Sequence, residues 1–300
     1  MPAVVPHHVP FSNLTAIESG PAMNAQRVPY LLIAPSVIFL MVLFIWPLAE
    51  TALMAFRTAD GTWTGQYVSK MLGDLNFGIA LKNTLILVAI VVPLQMVVAL
   101  GMAMMLQNME RGRMAFLYIW TIPLGVSDLA AGLAWLAIFN DRGYFNTVLS
   151  GMGFISGPTS WLSYQNPAAL FVCVIIAEIW RATAIVLVIL VAGVQLIPKE
   201  YNEAAEVFGA SPWKRFMKIT LPLLKPSLQS ALILRTVLAF EVFAVVYALA
   251  GRNLPVLVGE AYNWQGAYKN TNVASAYALF ILVVSIASTL VYLKVLKVKR

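Results

Sequence analysis

Five ionisable side chains sit inside long apolar runs of this 300-residue sequence: Asp128, Glu178, Arg181, Arg235 and Glu241. At the centre of a membrane-spanning helix, such a group costs at least about 2.5–3.5 kcal/mol. Glu178 and Arg181 are three residues apart, so a helix places them on one face, where they can neutralise each other. Arg235 can snorkel or pair with Glu241 or Asp128. Two chemistries follow. The charges can be an internal neutralisation that supports packing, or they can hydrogen-bond a polar solute along a path. Trp135, Asn140, Trp180, Phe243 and Tyr247 lie in the same runs. Carboxylate and amide groups beside aromatic rings suit a solute with many hydroxyls and flat apolar faces. Each ring also has a simpler reading as packing or interface anchoring.

A second group lies in the polar connection Pro198–Pro222, which reads as two short helices around a break. A first helix is expected over about 199–208, and its acidic residues Glu200, Glu203 and Glu206 favour a helix N-terminus through the dipole. Ala204 and Ala205 leave room for another surface to approach. Gly209 can end that helix in the left-handed conformation. Ser211 is then the N-cap of a second helix, with Pro212 at its first position. The second helix carries Lys214, Arg215 and Lys218 on a polar side and Trp213, Phe216 and Met217 among its apolar contacts.

Other chemistries lack their residues. The sequence has no Gly-x-x-x-x-Gly-Lys-Ser/Thr phosphate loop, no Gly-x-Ser-x-Gly and no His-Glu-x-x-His. Its histidines are His7 and His8 in a Pro-rich N-terminal stretch, and its one cysteine, Cys173, lies in an apolar run. An internal disulfide is impossible and a zinc site of the usual ligands is not expected. An intramembrane enzyme would have to use Asp128 or Glu178 without any supporting motif. A transporter working alone would more readily show broken helices in matching halves, and no such pair is evident.

The elements that position these residues are membrane spans. Apolar residues make up 60% of the chain and charged residues 11%, against about 45–50% and about 25% in soluble domains. A globule of this length lacks the interior to hide that surface. A span needs about 20 mostly apolar residues, and six runs qualify, over about 30–55, 78–106, 114–139, 168–196, 223–250 and 273–296. The fold class expected is therefore an all-α integral membrane protein with six transmembrane helices, a tail over 1–29, the polar connection 198–222 between the fourth and fifth spans, and a short C-terminus over 297–300. The net charge of +7 is read as topology, and nucleic-acid binding is not expected. With the N-terminus inside, twelve Lys and Arg fall on the cytoplasmic side and five outside. Both termini and the 198–222 connection are thus expected in the cytoplasm.

The pattern Glu203-Ala204-Ala205, then Gly209, Ile219 and Leu221-Pro222 at its particular spacing, resembles the EAA loop of bacterial binding-protein-dependent ABC importer permeases of the MetI-like type. Further likeness to the sugar-uptake group of that family, the maltose, glycerol-phosphate and trehalose type permeases, runs through most of the chain. It includes Asn83-Thr84-Leu85, Ile122-Pro123, Trp135, Gly143, Asn146 and Leu149, Ala192-Gly193-Val194-Gln195, Ile197-Pro198, and Phe240, Val242, Phe243, Tyr247 and Leu249. The chain departs from many relatives at Ala244 and over Gly251–Pro255.

The resemblance implies a compact six-span permease of a bacterial inner membrane, with no catalytic residues of its own. It implies ATPase coupling through Glu203, Ala204, Ala205, Gly209, Ser211, Lys214, Ile219, Leu221 and Pro222. A substrate path is expected near Asp128, Trp135, Asn140, Glu178, Trp180, Arg181, Glu241, Phe243 and Tyr247. The partners implied are a second homologous permease, two ATPase subunits that bind ATP and Mg, and an extracytoplasmic solute-binding protein. The solute expected is a di- or oligosaccharide, with glycerol phosphate or a polyol as the alternative.

Overall fold

The computed structural model describes residues 28–295; the N-terminal stretch with His7 and His8 and the C-terminal residues 297–300 lie outside them. Every regular element among the described residues is helical apart from one isolated bridge between Arg57 and Trp63. The chain divides into two compact units, 1–50 and 51–300. In the first, α1 (Val28–Leu40) continues through a π turn, Met41–Ile45, into the start of α2 (Trp46–Phe56). From Val28 to Ala49 this helical run carries no charged residue.

The second unit holds a short α3 (Gln66–Leu72), α4 (Phe77–Gln107), α5 (Arg113–Thr121), α6 (Asp128–Phe139), α7 (Tyr144–Gly151) and α8 (Pro167–Gln195). The 198–222 connection forms α9 (Lys199–Val207) and α10 (Pro212–Arg215), and α10 runs through a π turn into α11 (Leu221–Phe240). Then come α12 (Ala244–Ala250), α13 (Leu257–Gly266) and α14 (Thr271–Val295). Among the described residues, five helices are long and apolar enough to cross a membrane, or six if the bent 113–151 pair counts as one.

Two of the expected spans are not single helices. The run 114–139 is bent by 102° between Arg113–Gly125 and Asp128–Gly151. Pro123 opens a 3-10 turn at Ile122–Gly125, Val126 and Ser127 are extended, and the Ser127 hydroxyl accepts from the Ala130 N–H at 3.2 Å as a helix cap. Proline removes a donor and a capped start begins a new helix, so an apolar run that looks continuous changes direction here. The run 223–250 is interrupted at Glu241–Phe243, where Phe243 takes φ −140° and ψ −59°. Neither proline nor glycine falls at these three positions, so nothing in the apolar pattern announces the break.

Packing is built in three clusters. One joins α3, α4, α13 and α14 around Met71, Phe77 and Tyr277. A second joins α6, α8 and α12 around Phe139, Leu170 and Val245. A third joins α4, α8 and α11 around Leu106, Leu187 and Leu224. Two glycines permit the closest crossings. A Cβ on Gly132 of α6 would lie 2.6 Å from Ala248 Cβ of α12, and one on Gly193 of α8 would lie 2.2 Å from Ser227 Oγ of α11.

Polar side chains tie the connections to this frame. Asn83 Nδ2 donates to the Pro255 carbonyl at 2.9 Å, and Thr84 Oγ1 accepts from the Leu257 N–H at 3.0 Å. Asn146, buried, donates to the Asp141 and Thr159 carbonyls, each at 2.9 Å, and accepts from Trp161 Nε1 at 2.8 Å. Asp74 accepts from Trp264 Nε1 at 2.6 Å and from the Tyr277 hydroxyl at 3.0 Å.

Gly132→Leu should lower stability by about 1–3 kcal/mol, the usual cost of overpacking, because α6 and α12 cannot separate without opening the second cluster. Thermal unfolding of the purified protein in detergent, beside Gly101→Leu, checks this: an added Cβ at Gly101 meets nothing within 4 Å.

Candidate functional site

Four of the charges within apolar runs form one network, in which two guanidinium groups meet one carboxylate. Glu178 of α8 is buried, with its side chain 2% exposed, and its Oε2 accepts from Arg181 Nη2 at 3.1 Å and from Arg235 Nη2 of α11 at 3.0 Å. Arg181 also donates through Nε to Glu178 Oε1 at 3.2 Å and through Nη1 to Asp128 at 2.6 Å. Gln95 of α4 completes the cluster: its Oε1 accepts from Arg235 Nε, and its Nε2 donates to the Glu178 backbone carbonyl at 2.7 Å. Counted with the more exposed Asp128, two anions face two cations, so the cluster is formally neutral. That is the form in which charges persist at low dielectric. Arg235 thus pairs with Glu178, not with the Glu241 or Asp128 proposed for it from sequence. The intervening α4–α8–α11 packing brings Glu178 closer than either.

Asp128 does not stand in the middle of a straight span. It is the first residue of α6, with its side chain 56% exposed beside the bend. A carboxylate there is favoured by the positive end of the helix.

The remaining path residues separate into two aromatic groups. Trp135 stacks on Phe139 with ring centroids 5.2 Å apart and meets Trp180 edge-on at 6.0 Å. Beside the break between α11 and α12, Phe243, Tyr247 and Tyr262 contact one another at 5.2, 5.0 and 5.8 Å. Glu241 ends α11 and is exposed. Asn140 ends α6, and its Oδ1 accepts from the Arg142 N–H at 3.3 Å, a local turn contact. Tyr262 and Gln95 were missed in the sequence. Tyr262 lies in a short helix outside the apolar runs, and Gln95 is uncharged, so neither carried a signal.

Near the aromatic trio, outside the spans, Glu260 and Asn263 help to line a small pocket with Phe243, Tyr247 and Arg252. Glu260 is 3% exposed; its Oε1 accepts from Asn263 Nδ2 at 3.4 Å, and its Oε2 has no hydrogen-bond partner. Burial, and then the negative charge of Asp74, raises the Glu260 carboxyl above the ordinary Glu value. Among the described residues no three His, Cys, Asp or Glu side chains are grouped to hold a metal ion.

In the 198–222 segment, α9 ends as the chain reaches Gly209, which adopts φ +70°, and Ser211 Oγ accepts from the Lys214 N–H at 3.3 Å. Glu206 and Arg215 form an ion pair across the break and so tie the two helices together. Val207, Phe208 and Trp213 are 85, 88 and 70% exposed. Lys214 is exposed, while Ile219 and Leu221 are half-buried and Thr220 between them is buried. The segment therefore turns its apolar side outward at the break and inward where it joins α11.

Residues 97–297 match the family described as binding-protein-dependent transport system inner membrane component, and the chain belongs to that family. It is a membrane transport permease. Two similar proteins are the trehalose/maltose transport system permease of Thermococcus litoralis and the sulfoquinovosyl glycerol transport system permease of Agrobacterium fabrum. The first is 36% identical over 70% of this chain and 71% of its own length; the second is 30% identical over 90% of each. The fold is that of a chain in a bacterial alginate ABC transporter solved in complex with an alginate pentasaccharide-bound periplasmic protein. That match has a TM-score of 0.78 and 22% identity, and it covers 91% of this chain and 96% of the other.

Glu178→Gln should destabilise the protein by about 3–5 kcal/mol, because Arg235 would keep a buried charge without its counter-ion. The double change Glu178→Gln/Arg235→Gln should recover part of that loss in thermal unfolding. For Glu260, the raised carboxyl pKa means that the fold favours the protonated form. Its stabilising effect is full below the ordinary Glu value and is lost as pH rises through the folded value. Glu260→Gln should therefore gain in melting temperature over the wild type as pH is raised from about 5 to about 8.

Proposed function

We propose that this chain is the membrane-spanning permease subunit of an ATP-driven importer for a sugar, a di- or oligosaccharide, handed over by an extracytoplasmic solute-binding protein. The 198–222 segment carries the reading. It combines the Glu203-Ala204-Ala205…Gly209 pattern with an outward apolar edge of Val207, Phe208 and Trp213. Exposed apolar side chains grouped on a charged segment are what a docking surface needs. In this reading both termini and the segment face the cytoplasm, as the distribution of Lys and Arg suggests.

The segment docks on an ATPase subunit, two of which bind ATP and Mg, and a second homologous permease completes the path. Glu203, Ala204 and Ala205 meet the ATPase surface. Gly209, Ser211 and the Glu206–Arg215 pair hold the break rigid. Ile219, Leu221 and Pro222 hand the motion to α11, since the α10–α11 run is helical throughout. Closure of the ATPases then moves packed helices as bodies. The aromatic groups at Trp135–Trp180 and at Phe243–Tyr247, beside the exposed Glu241, offer ring faces and an acceptor to a sugar. The names of the similar permeases, which specify trehalose, maltose and sulfoquinovosyl glycerol, support a carbohydrate or glycoside. Glycerol phosphate or a polyol is the alternative.

Gly209→Val should cut solute-stimulated transport in reconstituted complex by an order of magnitude or more, since a β-branched residue is strained at positive φ, while the subunit stays in the membrane. Glu203→Lys should act likewise. Normal transport by both variants with the ATPase still bound would overturn the docking role. Phe243→Ala should raise the solute concentration for half-maximal transport more than it lowers the maximal rate, read from uptake into proteoliposomes.

A further inference from the structure

A cavity of about 480 Å³ opens where α4 and α8 end and α5 and α9 begin. Its floor includes Ala103, Val191 and Val194, which belong to the packed cluster between α4, α8 and α11. The cavity thus ends on closed core and does not continue between those helices as a solute path would. Its rim is polar: Gln107, Asn108, Gln195, Glu110, Arg113 and Lys199. Among the described residues, neither the Arg113 guanidinium nor the Lys199 ammonium has an ion-pair or hydrogen-bond partner.

Two helix C-termini and two helix N-termini meet at this rim, so their dipoles oppose one another. The sign of the site is left to its side chains, two cations against Glu110. Depth identifies the surroundings. At 31 residues, α4 is about 46 Å long, enough to cross the roughly 30 Å hydrocarbon layer and carry its last turns among the headgroups. A cavity with an apolar floor and an unsatisfied basic, amide-bearing rim at that depth matches an amphiphile with an anionic head.

We propose that this cavity binds the phosphate headgroup of an anionic phospholipid of the leaflet on the side of the 198–222 segment. Arg113 and Lys199 pair with the phosphate, the Gln107 and Gln195 amides hydrogen-bond the glycerol, and Ala103, Val191, Val194 and Ile197 receive the start of an acyl chain. The assignment to the cytoplasmic leaflet rests on the topology proposed above; the lipid site itself does not. An occupied site would brace the first turn of α9, and so the 198–222 segment, against α4 and α8, making its response to the ATPase sensitive to membrane charge.

The test is native mass spectrometry and binding titration on the full-length chain, with its co-purifying subunits, in nanodiscs containing phosphatidylglycerol in phosphatidylcholine. No nucleotide or solute is present, so failure here is separate from failure of the transport reading. The wild type should retain one phosphatidylglycerol per chain. Arg113→Gln/Lys199→Gln should bind it about thirtyfold more weakly, since each basic residue near an anionic surface contributes roughly a fivefold preference. Arg113→Lys/Lys199→Arg should retain it. If the double glutamine variant does not fold, Lys199→Gln alone, at an exposed position, should weaken binding about fivefold. Equal retention by wild type and glutamine variants overturns the site. Tight binding of soluble glycerol phosphate in pure phosphatidylcholine nanodiscs, with no gain from phosphatidylglycerol, overturns the lipid assignment in favour of a soluble phosphate compound.

Discussion

A carboxylate shared by two guanidinium groups in a low-dielectric interior holds together helices that apolar packing alone would leave interchangeable. Glu178 accepts from Arg181 on its own helix and from Arg235 on α11, and Gln95 reaches in from α4 to bond both Arg235 and the Glu178 backbone. Leu, Val and Ala faces can slide past one another at little cost. A buried ion pair cannot, because separating it leaves a charge without a partner where water is excluded. The register of α4, α8 and α11 is therefore set by these four side chains, and the contacts of the third cluster, from Leu106 to Leu224, are arranged around it. Arg181 carries the same network to Asp128 at the start of α6, so an ion pair adds to the packing of the bent 113–151 segment on α8.

This division of labour fits a machine whose parts must move as bodies. The trio of α4, α8 and α11 is fixed by buried charge and by the Gly193–Ser227 crossing. The segment from Lys199 to Thr220 leaves the end of α8 and returns as the start of α11, so a push on it reaches both ends of the locked pair. The interruptions lie elsewhere: at the 102° bend before α6 and at the break before α12. Gly132 lets α6 and α12 cross closely, so these two interrupted elements pack on each other. The candidate solute groups, Trp135 on α6 and Phe243 and Tyr247 at the break, thus belong to the interrupted elements and not to the trio.

Much of this was legible in the residues. Six apolar runs announced a helical membrane protein. The spacing of Glu178 and Arg181 announced their pairing, since three residues on a helix leave no other arrangement so near. Gly209, Ser211 and Pro212 announced the break between α9 and α10, because positive φ, an N-cap and a first-turn proline are local demands that a sequence states directly. The third and fifth spans were read as continuous because apolar runs report burial, not direction. Pro123 with Ser127 held the clue to the first interruption, and nothing local marked the second.

The sequence by itself determined the composition of each helix, the ends that carry caps, and the helix–break–helix pattern at Glu203–Pro222, all of which depend on neighbours a few residues apart. Only the tertiary structure decided that Arg235 answers Glu178 rather than Glu241 or Asp128, that Gln95 completes the cluster, and that Tyr262 joins Phe243 and Tyr247. It also decided that Arg113 and Lys199, 86 positions apart, share one rim. The physical reason is common to all four. A buried charge, a ring face or a cavity is satisfied by whatever three-dimensional packing brings near, and separation along the chain carries almost no information about that once helices longer than twenty residues fold back on one another.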